Sequence, residues 1–184
     1  MRKILSLVVL LALLVVPSFA QDDMEPTIAE IVVASTEAEE PEFTTLLTAV
    51  TLADESILEA LSDEEAEFTV FAPTDAAFAA LAEALGEEAF TAILEDTEFL
   101  TEILLYHVLD GAVFSADVVG LLDENMGEFE VETLLGDYIT VAGNVEDGIT
   151  INDATLVLEM VDIEASNGVI HVIDAVLVPM GEEE

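Results

Sequence analysis

The sequence predicts an α+β domain, in which a helical N-terminal half packs on a wedge of β-strands in the C-terminal half. Between residues 27 and 106, apolar residues recur mainly at helical spacing, interrupted by one strand-like run. From Phe129 onward they alternate, and β-branched residues dominate. The dipeptides Asp147-Gly148 and Asn167-Gly168 mark hairpin turns in this second half. No internal repeat is visible, so we expect a single domain.

The helices are predicted from capping residues and apolar spacing. Thr27 and Glu30 form a capping box ahead of the first helix. Phe43, Leu46, Leu47 and Val50 fall on one face of a second. A third helix is predicted over 55–61, with Ile57, Leu58 and Leu61 facing inward. A fourth is predicted to run from Thr74 or Asp75 to Gly86, with an apolar stripe of Phe78, Leu81 and Leu85. Further helices are predicted over 90–94, over 97–106 and near 115–121.

The strands are predicted from alternation, β-branched content and flanking turn residues. The first lies in the helical half and is ended by Pro73. The predicted strands are 68–72, 129–134, 138–142, 149–151, 156–163, 169–173 and 176–178.

Asp75 is expected to cap a helix, and its loss is expected to cost about 1 kcal/mol of stability. Asn167 and Gly168 are expected to serve their turn, since the central residues of such turns need positive φ.

Residues 1–20 have the pattern of a secretory signal peptide. Arg2 and Lys3 form a basic start, residues 4–16 are almost wholly apolar, and small residues lead to predicted cleavage after Ala20. An uncleaved anchor is the alternative, but the apolar run is shorter than the roughly 20 residues of a membrane span. We expect a polar lead-in over 21–26, one domain over 27–179 and an acidic tail over 180–184. The expected location is extracellular or at the cell surface, or periplasmic in a source with an outer membrane.

The charge is one-sided. All 41 acidic residues follow residue 20, and both basic residues precede it. The screening length falls from about 30 Å in 0.01 M salt to about 3 Å in 1 M salt, so repulsion among these carboxylates is strong only in dilute buffer. The composition favours adaptation to high salt, with acidic surroundings or bound divalent cations as alternatives. It disfavours nucleic acid and anionic membranes as partners, and no membrane insertion is expected after signal cleavage.

Three motifs occur in a fixed order: FTVFAPTDAAF at 68–78, YHV at 106–108, and NGVIHVIDAVLVP at 167–179. Together with residues 133–136 and the Asp162-Ile163 dipeptide, they resemble the fasciclin domain over about residues 27–179. The resemblance implies a compact wedge of strands packed with helices, a role in cell–cell or cell–matrix attachment, and as a rule no enzymatic activity. The chain departs from the family in lacking basic residues, which argues against partner binding through basic patches.

The resemblance also implies partner-binding residues, namely Tyr106, His107, Asp162 and Ile163. For His107 the alternative is a buried imidazole that holds a helix-to-strand joint, and this is the favoured reading. For Ile163 the alternative is burial at a strand end. His171 alternates with apolar residues along its strand, so a core position is expected.

Patterns typical of catalysis or metal binding are missing from the sequence. There is no cysteine, no G-x-S-x-G elbow, no zinc-protease motif and no phosphate-binding loop. The acidic segment 144–148 lacks the spacing of a calcium loop and reads as a hairpin turn. We therefore expect neither cofactor nor dedicated metal site. The expected partner is an extracellular or envelope protein or a glycan. The second hypothesis is an acidic matrix protein that binds divalent cations such as calcium weakly and diffusely, and the third is a hydrolase.

Overall fold

The computed structural model describes residues 25–36, 42–63, 65–144 and 146–179. The predicted signal peptide, most of the lead-in and the acidic tail lie outside the described residues. Within the described part, no helix combines the length and the apolar character that crossing a bilayer requires.

The described residues form seven helices and eight strands, and the α+β prediction is confirmed. In chain order the helices are α1 Ile28–Thr36, α2 Thr44–Leu52, α3 Glu55–Ser62, α4 Asp75–Leu85, α5 Glu87–Glu95, α6 Thr97–Tyr106 and α7 Ser115–Glu124. The strands are β1 Phe68–Pro73, β2 Val108–Asp110, β3 Glu128–Glu132, β4 Tyr138–Asn144, β5 Gly148–Ile151, β6 Ala154–Thr155, β7 Ile163–Ala165 and β8 Gly168–Ile173.

The strands make two four-stranded sheets. The first has the order β2-β1-β8-β7, and the second has the order β3-β4-β5-β6. In the first sheet β1 and β8 run parallel, whereas every other named pair is antiparallel. Parallel strands need a long crossover, and most of the chain lies between β1 and β8. The first sheet therefore depends on contacts between residues about a hundred positions apart.

The first sheet lies between the helices and the second sheet. Val70, Ala72, Ile170 and Val172 belong to one core cluster with helices α1, α2, α3, α4 and α6. The intervening side chains, such as Phe71 and Ile173, belong to a second cluster with α7 and the second sheet. Because successive side chains of a strand point to opposite faces, β1 and β8 contribute to both cores. Both strands are buried along almost their whole length.

Helix caps follow the predictions with one exception. Thr27 and Glu30 exchange hydrogen bonds as a capping box, and the Thr74 hydroxyl accepts from Ala77 N at the start of α4. Asp75 does not cap its own helix. Its carboxylate accepts from Thr44 N at 3.2 Å and Thr45 N at 2.7 Å, so it caps α2 from a distance of thirty residues along the chain.

Two strand predictions are wrong. Residues 157–162 make a loop, in which Val157 N donates to Val172 O and a turn closes from Met160 N to Val157 O. Of the predicted strand 156–163, only Leu156, in an isolated bridge to Ile173, and Ile163 have strand pairing. Residues 176–178 are also irregular, because Leu177 N donates to a histidine ring instead of a strand. Both segments are apolar because they pack on the core, and burial alone does not distinguish a packed loop from a strand.

The buried faces of two helices, α3 and α4, contain fewer residues than predicted. Leu58 of α3 and Leu85 of α4 are exposed, whereas Ile57, Leu61 and Phe78 are buried as expected. The neighbouring helices cover only part of each apolar stripe, and this arrangement is a property of the packing rather than of the helix sequence.

Candidate partner-binding site

The first predicted pair, Tyr106 and His107, lies at the joint between α6 and β2. His107 is 3% exposed. Its Nδ1 donates to Ile103 O at 2.7 Å, and its Nε2 accepts from Leu177 N at 2.9 Å. This pattern fixes a neutral ring protonated on Nδ1. Burial lowers the pKa of His107 to about 4, against the opposing effect of the Ile103 carbonyl.

Tyr106 is 4% exposed, and its hydroxyl is part of a link to the second sheet. The hydroxyl donates to Tyr138 O at 3.1 Å and accepts from Asn152 Nδ2 at 2.9 Å. The resemblance implies that Tyr106 and His107 contact a partner, but in this structure neither side chain is available for direct contact. Both instead hold α6 against the surrounding elements. For His107 this confirms the favoured alternative, a buried imidazole at the helix-to-strand joint.

The second predicted pair, Asp162 and Ile163, lies at the start of β7. Asp162 has a φ of 54° and a side chain that is 35% exposed. Its carboxylate accepts from the backbone N of Ser115 at 2.7 Å and from the Ser115 hydroxyl. Since Ser115 begins α7, Asp162 satisfies an otherwise unpaired N–H of that helix. A left-handed backbone conformation at a non-glycine residue is uncommon, and here the carboxylate contacts hold it.

His171, on β8, lies directly beneath this loop and is 1% exposed, as predicted for a core residue. Its Nδ1 accepts from Asp162 N at 3.3 Å, and its Nε2 donates to Val113 O at 2.8 Å. Burial lowers the pKa of His171, while the Val113 carbonyl and the Asp162 charge act in the opposite direction. The ring is therefore neutral near pH 7 and serves as a support for the Asp162 backbone.

Ser115, Asp162 and His171 are neighbours, but they are not arranged as a catalytic triad. In a triad the histidine bridges the nucleophile and the carboxylate. Here the carboxylate touches the serine, the His171 ring is 3.9 Å from Asp162 Oδ1, and both ring nitrogens are engaged with backbone groups. The arrangement positions a loop and a helix start, and His171 is not placed to take a proton from the Ser115 hydroxyl.

Ile163 is half-buried and packs against the helical core cluster. Its strand, β7, is three residues long and forms the outer edge of the first sheet. Glu164, the next residue, is exposed. The edge of β7 adjoins a surface depression of about 300 Å³. Its lining includes Glu25, Glu67, Phe114 and Glu164, so the depression is acidic and has one aromatic wall.

The structure does not bring the two predicted pairs together. His107 precedes β2, at one edge of the first sheet, whereas Asp162 and Ile163 lie at the opposite edge. With neighbouring strands about 4.8 Å apart, three strand spacings separate them by roughly 14 Å. The exposed part of the candidate site is therefore the β7 edge alone.

Sequence reasoning missed the contacts of two asparagines, of which Asn167 is buried and Asn152 is half-buried. Asn167 is fully buried, its Oδ1 accepts from Ile28 N at 2.8 Å, and its Nδ2 donates to Leu61 O at 2.9 Å. It thus joins α1 and α3 to the β7–β8 hairpin. The positive φ predicted for the turn is found at Gly168, the first residue of β8, but not at Asn167. Asn152, with a φ of 51°, links Thr140 N to the Tyr106 hydroxyl. Asparagine beside glycine or aspartate signals a turn, and nothing in the sequence indicates these distant partners.

β4 and β5 pair as an antiparallel hairpin with Asn144 opposite Gly148, as predicted for this acidic segment. Asn144 Oδ1 accepts from Glu146 N and Asp147 N, which organises the turn. Among the described residues, no group of three or more histidine, aspartate or glutamate side chains is placed to hold a metal ion.

The family is shown by comparison with known proteins. The model of the fasciclin domain matches residues 41–179, and the chain belongs to this family. The fold of this chain also matches a solved structure, a FAS1 domain pair from the insect cell adhesion molecule fasciclin I, with a TM-score of 0.67 and 19% sequence identity. That match covers 85% of this chain and 52% of the other, about half its length.

Relatives occur in bacteria and animals. The chain is 40% identical over 165 residues to Protein sll1483 of Synechocystis, covering 89% of this chain and 79% of that protein. It is 37% identical over 123 residues to human periostin, covering 67% of this chain but only 13% of periostin. The immunogenic protein MPB70 of Mycobacterium bovis is 34% identical over 113 residues, 61% of this chain and 50% of that protein.

Proposed function

We propose that this protein is an extracellular or cell-surface adhesion module that binds a protein or glycan partner through the β7 edge, without catalysis. The observation that carries the proposal is the placement of Asp162 and Ile163 at an outer strand, next to an acidic depression. Fasciclin domains are found in cell-adhesion and extracellular proteins, and the solved relative is described as a cell adhesion molecule. The predicted signal sequence supports the same location.

The surface formed by the β7 edge and the adjoining depression is acidic. Asp162 is committed to Ser115, so the free carboxylate at this edge is that of Glu164, with Glu25 and Glu67 close by. Phe114, at the margin, is 36% exposed. A partner that fits here presents cationic groups or hydrogen-bond donors, or binds through a bridging cation. Tyr106 and His107 act in this proposal by holding the α6–β2 joint.

The test uses the purified secreted chain on beads, exposed to a panel of envelope proteins and glycans in about 2 M salt, where charge repulsion is screened. We expect saturable capture of a defined partner, weakened by Glu164→Lys and by Ile163→Ala. The double change Leu58→Ala with Glu59→Gln is the matched control, since it removes an exposed leucine and a carboxylate on α3. An equal loss of partner capture in the control variant would show that the β7 edge is not the partner-binding site.

A second candidate function is an acidic matrix protein that gathers divalent cations diffusely. It is favoured by 41 carboxylates with no lysine or arginine after residue 20, and by the three carboxylates around one depression. Capture that requires calcium, disappears with a chelator and ignores the β7 variants would establish this role in place of adhesion. The same charge supports our proposal that the protein is adapted to high salt.

A further inference from the structure

A second site lies inside the molecule, between the two sheets and α7. It is a cavity of about 60 Å³. Phe71 and Leu109 of the first sheet form one wall, Val141 and Ile151 of the second sheet form another, and Val118 and Leu121 of α7 cover it. These six residues take no part in the β7 edge described above, although His171, which also lines the cavity, supports the Asp162 backbone there.

The cavity has no free polar group to hold water. Its polar lining residues are Thr69 and His171. The Thr69 hydroxyl donates to Gly111 O at 2.7 Å and accepts from Val113 N at 2.8 Å, and both His171 ring nitrogens are occupied. In the described part of the chain, no buried side-chain polar atom lacks a partner. A buried water needs two to four polar partners, whereas cavities lined by apolar side chains stay dry and take up apolar molecules.

The size of the cavity limits what it can hold. One water needs about 10–15 Å³ on this measure, and an engineered cavity of about 150 Å³ accepts benzene. A cavity of about 60 Å³ is therefore several times larger than one water and smaller than a benzene site. It suits the terminal carbons of an alkyl chain or a short hydrocarbon.

Part of the cavity lining reaches the molecular surface at α7 and β3. Leu121 is 38% exposed, and Phe129 and Val131 on β3 are half-buried. β3 is the outer strand of the second sheet, so these three side chains separate the cavity from solvent. The rim is acidic, because Asp117 and Glu124 lie four residues before and three residues after Leu121 on the same helix face.

We propose that this cavity binds the end of a neutral alkyl chain, which enters between α7 and β3 while its uncharged polar head stays at the rim. The apolar walls favour the chain, and the dry interior means that no bound water has to be displaced. The carboxylates at the rim, with no lysine or arginine after residue 20 to offset them, disfavour a fatty-acid anion. The ligand class is thus a neutral amphiphile, such as an alcohol or ester.

The test probes the full chain with 1-hexanol and with hexanoate, following the methyl NMR signals of Val118, Val131 and Ile151. We expect saturable shifts with hexanol in both dilute and concentrated salt. Hexanoate should bind about tenfold more weakly than hexanol in about 0.01 M salt, and the gap should narrow in about 1 M salt as screening removes the repulsion. The Ile28 methyl groups, in the helical core, are the internal control and should not move.

Cavity-filling variants complete the test. Val131→Phe or Leu121→Phe should reduce hexanol affinity at least about tenfold, since aromatic bulk occupies the space. Val33→Phe, on an exposed position of α1, should leave it unchanged. Absence of saturable shifts in the unaltered protein, or equal shifts at Ile28, would identify the cavity as a packing void and overturn the proposal. The measurement on the unaltered protein tests ligand binding by the cavity even where neither cavity-filling variant folds.

Discussion

Asn167 illustrates how one polar side chain can hold distant elements together. Its amide group bonds Ile28 N and Leu61 O, and neither partner is close in sequence. Because the residue is fully buried, water cannot replace those bonds when the side chain is removed. An unpaired buried donor or acceptor costs about 1–3 kcal/mol.

Asn167→Ala should therefore lower the free energy of unfolding by about 2–4 kcal/mol, since it strands two buried backbone groups. Chemical denaturation measures this. The control is Asn125→Ala, which removes a single exposed bond to Leu121 O and should cost less than about 1 kcal/mol. Similar losses of unfolding free energy in the two variants would show that burial does not increase the contribution of the Asn167 hydrogen bonds to stability.

Gly168 has a backbone that only glycine adopts without strain. Its φ is 145°, and a Cβ there would overlap the backbone of Phe68 on the neighbouring parallel strand. Gly168→Ala should therefore destabilise the fold by more than about 1 kcal/mol. Gly120→Ala is the matched control, since Gly120 lies in α7 with open space around it, and it should stabilise by about 0.5–1 kcal/mol. Thermal unfolding of both variants tests the pair, and destabilisation by Gly120→Ala would contradict the helix argument.

At the scale of elements, the α6–β2 joint depends on a neutral imidazole. The folded pKa of His107 is lowered to about 4, below the ordinary value near 6.5. The unfolded chain therefore takes up the proton first as the pH falls. The stability that neutral His107 supports is complete above about pH 6.5 and is lost as the pH falls toward about 4.

The expected loss from this group is about 3 kcal/mol over that window, by the conversion of about 1.4 kcal/mol per pKa unit. Urea unfolding at a series of pH values between 4 and 7 measures it. His107→Gln should be less stable than the unaltered protein at pH 7 but should show a shallower slope across the window. An unchanged slope would assign the acid sensitivity to other groups, of which His171, with its lowered pKa, is the first to examine by His171→Gln.

At the scale of the whole molecule, we expect the charge distribution to make stability depend on salt. After residue 20 no lysine or arginine offsets the 41 carboxylates, so repulsion is relieved only by dissolved ions. Screening shortens from about 30 Å at 0.01 M to about 3 Å at 1 M salt. The melting temperature should rise by at least about 5 °C between these concentrations of sodium chloride, which corresponds to about 2 kcal/mol for a domain of this size.

Calcium chloride at equal ionic strength separates screening from cation binding. An equal rise in the two salts is the result expected of a salt-adapted adhesion module. A markedly larger rise with calcium would favour the cation-gathering matrix role, and no rise in either salt would contradict the repulsion argument itself.

The sequence by itself determined the family, the α+β class and most of the elements. Thr97–Tyr106 was predicted to the residue, and the Thr27–Glu30 capping box and the core position of His171 were also correct. These features are local, because capping, helical spacing and strand alternation follow from neighbours along the chain.

Only the tertiary structure decided which residues meet. It paired β1 with β8 in parallel, assigned Asp75 to α2, buried Tyr106, and placed Asp162 over the start of α7. It also made a loop of residues 157–162, where apolar content predicted a strand. In each case the outcome depends on packing between segments far apart in sequence. A local pattern records that a side chain is apolar or can cap, but not which distant group it contacts.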